Sequence, residues 1–226
     1  MPPHDVYVEP FLGGGAVMRY KRPAAVNYGI DRSSAAIENF RLSQSGDGAG
    51  GALSATLVVG DGLELLRRFR FRGLELVYCD PPYLMETRSS GPMYEFEMSD
   101  RDHRRLLRWA IAARCRVMIS GYPSEMYARA LRGWRCCSYQ TMTRGGLTEE
   151  CLWMNFPEPV ALHDYRYLGS GFRERERIKR KKLRWVRRLE AMPLLERRAL
   201  LSALASFDDG ARVLDTGSDL KGNYIH

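Results

Sequence analysis

Leu74-Glu75-Leu76-Val77-Tyr78-Cys79-Asp80-Pro81-Pro82-Tyr83 is the stretch that decides the fold. Its first half is a nearly continuous apolar run, the pattern of a strand buried on both faces of a parallel sheet. Its second half stops that strand abruptly. Two prolines fix φ and remove two backbone donors, leaving a stiff turn with free carbonyls. A carboxylate, a rigid carbonyl and an aromatic ring then project from one point at a strand end. Ligands of open α/β sheets bind beyond the carboxyl ends of the strands. These groups suit a planar amine: two acceptors take its N–H groups and the ring stacks on its flat face. The plainer alternative is a Pro-Pro turn with a capping Asp and a packed Tyr.

Outward from this stretch, strand and helix patterns alternate. Val6–Glu9, Ala25–Ile30 and Thr56–Val59 read as strands before it. Helices are expected near Ala16–Tyr20, from Ser33 or Ser34 to Arg41, and from Gly62 to Phe69. After it, Ser99 reads as the N-cap of a helix reaching Ala113, with Asp100 and Asp102 in its first turn. Arg116–Ser120 is a fifth strand, and Ser124 starts a helix to Leu131. Trp134–Thr143 and Cys151–Phe156 follow with no helix between them and predict an edge hairpin. The alternation predicts a doubly wound α/β sheet of about seven strands with helices on both faces. That domain is expected over residues 1–156.

Residues 157–171 form a Pro/Gly/Tyr connector, and helices are expected at 172–191 and 194–206. Residues 157–206 are thus a helical appendage, and 207–226 are expected to be a flexible tail. The net charge of +8 over 226 residues is concentrated there. Between Phe172 and Glu190 ten basic side chains face three glutamates. Ile178, Trp185 and Leu189 share one face of this helix, and the opposite face is almost wholly basic. Such a concentration points to a polyanion, with Arg173, Lys179 and Arg180 as phosphate partners. The alternative is a solvated surface helix.

Composition excludes several classes. Five cysteines without a C-x-x-C pair argue against a disulfide framework or a zinc ribbon, and for a reducing cytoplasmic setting. Four scattered histidines give no metal site. No apolar run reaches the roughly 18–20 residues that span a bilayer, so no membrane role is expected.

A second motif is Glu9-Pro10-Phe11-Leu12-Gly13-Gly14-Gly15, directly after the first strand. Glycines there let the backbone turn tightly and approach a ligand. Asp31, ending the second strand, is placed to accept from ribose hydroxyls. Asp61, followed by Gly62, is placed to read an adenine amine, and the alternative for each Asp is simple helix capping. Thr87, Arg88, Tyr94 and Phe96, just past Tyr83, have the polar and aromatic mix to clamp a base and phosphates. Arg144 sits with paired glycines in Tyr139–Glu149, between the last two strands, where a hairpin reaching toward a polyanion is expected.

The Asp80-Pro81-Pro82-Tyr83 box resembles the catalytic box of amino-directed, S-adenosylmethionine-dependent methyltransferases. Asp in its first position looks like the DNA N6-adenine branch. With the Phe-x-Gly-x-Gly element ahead of it, the chain resembles the Dam-like DNA adenine methyltransferases of phage and prophage type. Leu152-Trp153-Met154-Asn155-Phe156 and the basic segment extend the resemblance to about residue 206. It implies a class I methyltransferase fold with S-adenosylmethionine as cofactor. Asp80, Pro81, Pro82 and Tyr83 would be catalytic, acting on an adenine flipped from double-stranded DNA. Phe11, Gly13 and Gly15 would line the methionine side, with Glu9 and Pro10 assisting. It further implies a bacterial or phage-encoded cytoplasmic protein, monomeric or weakly dimeric, with a restriction endonuclease as a potential partner. Family members carry a further segment ahead of the glycine motif, which helps hold the cofactor's methionine end; here the sequence opens Met1-Pro2-Pro3-His4. An RNA adenine methyltransferase and a catalytically silent nucleic-acid-binding protein on the same scaffold stay open as alternatives.

Overall fold

The computed structural model describes residues 1–44, 54–87, 95–143 and 146–215, with backbone only for 207–215. The chain divides into two compact units, Met1–Asp164 and Tyr165–His226.

The first unit is built on one seven-stranded sheet. Its strands are β1 (Val6–Glu9), β2 (Val26–Asp31), β3 (Thr56–Val59), β4 (Glu75–Cys79), β5 (Arg116–Gly121), β6 (Arg135–Thr143) and β7 (Gly146–Met154). They lie in the order β3-β2-β1-β4-β5-β7-β6. The first five pair in parallel, whereas β7 runs antiparallel to both β5 and β6. The chain reverses direction between β1 and β4, so the crevice of the sheet opens at their carboxyl ends.

The two-residue period of the strands sorts the core into two layers. Val8, Val77, Cys79, Val117, Ile119 and Trp153 face one side. There they meet helices α3 (Gly62–Arg68), α4 (Asp100–Ala112) and α5 (Glu125–Ala130) through Leu66, Leu106 and Tyr127. Tyr7, Leu76, Tyr78, Met118 and Met154 face the other side. There they meet α1 (Ala16–Tyr20) and α2 (Ser34–Gln44) through Met18, Ile37 and Phe40. All five residues of β4 are buried, as the apolar run predicts. Glu75 is tolerated there because it accepts from the backbone N–H groups of Arg72 and Gly73 at 2.7 and 2.8 Å.

The last strand departs from expectation. β7 begins at Gly146 rather than Cys151. Thr148, Glu149 and Glu150 hid its start, because acidic residues are poor strand formers. Pairing across the hairpin overrides that preference, with Met142 opposite Leu147 and Tyr139 opposite Glu150. The unit boundary also differs from residue 156. His163 stacks on His4 at 3.9 Å and its backbone N–H donates to the Met1 carbonyl at 3.1 Å, which binds 157–164 to the first unit.

The second unit holds α6 (Phe172–Glu190) and α7 (Leu194–Asp215). No residue of α6 is buried. The backbone of α7 continues to Asp215, past the expected end at 206. Ala211, Arg212 and Leu214 favour helix, and the lone Gly210 costs only about 1 kcal/mol. Residues 216–226 lie outside the described residues.

The start of α4 follows the sequence signal closely. Ser99 Oγ accepts from the Asp102 N–H at 3.3 Å, and the Asp102 carboxylate reaches back to the Ser99 N–H at 3.4 Å. Ser99→Ala should therefore cost about 1 kcal/mol in urea-induced unfolding.

Candidate active site

Four loops meet at the carboxyl ends of β1, β2, β3 and β4. Around them lies a cavity of about 290 Å³, at the small end of ligand sites. Its apolar walls include Pro10, Phe11, Ala36, Leu63, Phe96 and Met98. Its polar groups include Asp31, Arg32, Asp61, Asp80 and Glu95.

The loop after β1 turns on glycine. Gly13 and Gly15 have φ of +49° and +60°, values that disfavour any side chain. The Asp31 carboxylate holds this loop: Oδ2 accepts from the Gly13 N–H at 2.7 Å and Oδ1 from the Ser33 N–H at 2.9 Å. Gly13 lines the cavity, but Gly15 does not. Instead Gly15 caps α1, where a Cβ would lie 2.3 Å from the Phe40 ring.

Asp61 is committed on both oxygens. Oδ1 caps α3 through the Leu63 N–H at 2.8 Å, and Oδ2 accepts from Arg32 at 2.5 Å. Burial opposes its charge, but Arg32 and the backbone donors outweigh that and hold its carboxyl below the ordinary range. Helix capping, the alternative reading of Asp61, is therefore present, and Asp61 still lines the cavity. At Gly62 a Cβ would fall 2.0 Å from the Pro10 carbonyl oxygen, so glycine lets α3 close on the first loop. From the far side Glu95 accepts from Ser33 Oγ at 2.7 Å.

Asp80 is the first exposed residue after β4 and opens onto the cavity with Pro82. Its Oδ1 accepts from Ser120 Oγ at 2.9 Å, and Ser120 shares a hydrogen bond with the Tyr78 hydroxyl at 3.1 Å. Protein atoms nonetheless crowd its carboxyl group. Desolvation therefore pushes the Asp80 carboxyl upward, against the Ser120 and Tyr83 hydroxyls that favour its charge. Pro81 is buried. Tyr83 packs edge-on against Tyr122 at 4.6 Å, and its hydroxyl donates to Glu150 of β7. Neither Pro81 nor Tyr83 lines the cavity. Sequence reasoning missed Ser120, Glu150 and Arg32. Only Arg32, beside Asp31, carried a local signal.

Glu9 does not line the cavity either. It is buried, and Tyr7 Oη donates to its Oε2 at 2.9 Å. Burial raises its pKa to about 8, with Tyr7 and Lys21 opposing the rise.

Arg173 and Arg180 share one face of α6 with Arg177 and Arg184, along a shallow groove. Lys179 lies off that face, paired with Glu176 at 3.8 Å. Arg88, Tyr94 and Arg144 lie outside the described residues. Among the described residues no group of three metal-binding side chains occurs, and no helix is long and apolar enough to cross a membrane.

No protein-family model and no curated relative matches the sequence. Solved structures do match the fold. A candidate methyltransferase from Streptococcus mutans, in complex with S-adenosylhomocysteine, is 10% identical and has a TM-score of 0.50. That match covers 68% of this chain and 89% of the other. An S-adenosylmethionine-dependent methyltransferase from Methanosarcina mazei is 9% identical, also with a TM-score of 0.50, over 68% of this chain and 92% of its own. The first unit thus has the class I methyltransferase fold.

Glu9 generates a pH prediction. Its pKa rises from 4.5 to about 8 on folding, so between these values the folded state binds more protons than the unfolded chain. Stability from this position must then fall as pH rises through that window. The stability of Glu9→Gln relative to wild type should increase steadily from pH 5 to pH 8, measured by urea unfolding. His4 titrates oppositely but identically in both proteins, and cancels.

Proposed function

We propose that the first unit binds S-adenosylmethionine in the cavity and transfers its methyl group to the N6 amine of adenine in DNA. The observation that carries the reading is the position of Asp80. It ends the central strand, heads the Asp-Pro-Pro-Tyr box and lines the same cavity as Asp31.

The residues fit the cofactor. Phe11, Ala36 and Leu63 offer apolar walls to an adenine ring, and Asp31 offers a carboxylate to ribose hydroxyls. Gly13 has open space where a Cβ would stand. S-adenosylmethionine supplies an electrophilic methyl group on a sulfonium. The chain supplies orientation and charge. Adenine N6 is a weak nucleophile because its lone pair is delocalised into the ring. Hydrogen bonds from N6 to the Asp80 carboxylate and the Pro81 carbonyl would localise that pair and aim it. Methylation would leave N6 positive, beside the Asp80 carboxylate. Asp80 would stabilise this charge and take the proton. Its raised pKa makes it a better acceptor than an ordinary Asp. Tyr83 would stack on a base flipped from the duplex.

The α6 face bearing Arg173, Arg177, Arg180 and Arg184 would track phosphates. It gives affinity without sequence reading, whereas the box selects the amine.

The test uses methyl-labelled S-adenosylmethionine with adenine-containing duplex DNA and, separately, RNA of the same sequence. Label should appear in N6-methyladenine of DNA with the wild type, and fall by at least about a hundredfold in Asp80→Ala. Full activity in Asp80→Ala would remove the assignment. Preferential labelling of RNA would replace the substrate.

A further inference from the structure

We propose that Glu150, which no motif marks, is a positioning residue of this site: from β7 it holds the Tyr83 ring and sets the charge felt by Asp80. The inference rests on the reading of Asp80 as the amine acceptor.

The sheet order makes the contact. β7 inserts between β5 and β6, so only β5 separates it from β4, and its Glu150 reaches Tyr83 of the box. Glu150 is half-buried and accepts from two phenols. One is Tyr83, across 67 positions of chain. The other is Tyr139, its register partner on β6. A carboxylate held by two hydroxyls from different elements is built, not incidental, because each donor lost on one side would leave charge under-solvated.

Tyr83 Oη also hydrogen-bonds Asp80. It carries one proton and stands between two carboxylates. While that proton points to Glu150, Asp80, which lines the cavity, keeps the Ser120 donor. Glu150 also places a second negative charge near Asp80, which favours the protonated form of Asp80. Both effects make Asp80 more ready to take a proton from an amine. The other groups facing Asp80 are Glu9 on β1, Tyr78 and Cys79 on β4, Ser120 on β5 and Tyr139 on β6. Of these, Glu9 is the only other carboxyl, and its own raised pKa of about 8 leaves it mostly uncharged at neutral pH. Asp31, Asp61, Glu95 and Asp102 share the cavity with Asp80, but Glu150 is the carboxylate joined to it through the Tyr83 hydroxyl.

Two variants separate positioning from charge. Glu150→Gln keeps an oxygen that accepts from Tyr83 but removes the charge. The weaker acceptor also releases the Tyr83 proton toward Asp80, so both changes favour ionised Asp80. Tyr83→Phe keeps the Glu150 charge and removes the proton. The readout is carboxyl carbon NMR of the full chain, with the Asp80 signal assigned by its loss in Asp80→Asn. The Asp80 midpoint should fall by roughly 0.5–1 pH unit in Glu150→Gln and rise in Tyr83→Phe. An unchanged midpoint in Glu150→Gln, or a fall in Tyr83→Phe, overturns the proposal. Methyl transfer is measured in parallel, where the acid limb of the rate should move to lower pH in Glu150→Gln. A wild type without transfer refutes the DNA reading alone, because the NMR titration still decides the role of Glu150.

Discussion

The complete burial of β4 is the constraint on which the rest depends. Helices cover both faces of this central strand, so Glu75–Cys79 can carry no solvated group without a partner. The chain meets solvent again only at Asp80, and the two prolines hold it there. At the crevice between β1 and β4 the winding of the parallel strands reverses its course across the sheet. A carboxylate at that point faces whatever the crevice holds. Lengthening or shortening β4 by one residue would turn Asp80 to the other face, because side chains alternate along a strand.

The site gathers carboxylates and treats each differently. Asp31 is spent on two backbone N–H groups, which converts its charge into loop geometry. Asp61 is spent on a helix cap and on Arg32. Glu9 is buried with Tyr7 and leans toward its neutral form. Asp80 alone opens onto the cavity with a raised pKa. Environment, not residue type, separates the structural acids from the one the proposed transfer would use.

Much of this was legible in the sequence. The period-two and apolar patterns gave the strands before Asp80 to within a residue or two, because buried parallel strands leave little freedom in composition. Ser99 and Ser124 announced their helices through capping chemistry that is local. The start of β7 was hidden, since Thr148-Glu149-Glu150 becomes strand only by pairing with β6. For the same reason Glu150 could not be assigned to the site. Its meeting with Tyr83 needs the insertion of β7 between β5 and β6, which no local pattern encodes. A glycine demanded by the Phe40 ring, as Gly15 is, looks the same in sequence as one demanded by a ligand.

The most direct measurement is titration calorimetry of the wild type and of Asp31→Ala with S-adenosylhomocysteine. Binding by the wild type should saturate at one ligand per chain and weaken at least about tenfold in Asp31→Ala, a loss near 1.4 kcal/mol. No saturable binding by the folded wild type, or equal binding by the two proteins, would contradict the placement of the cofactor in this cavity.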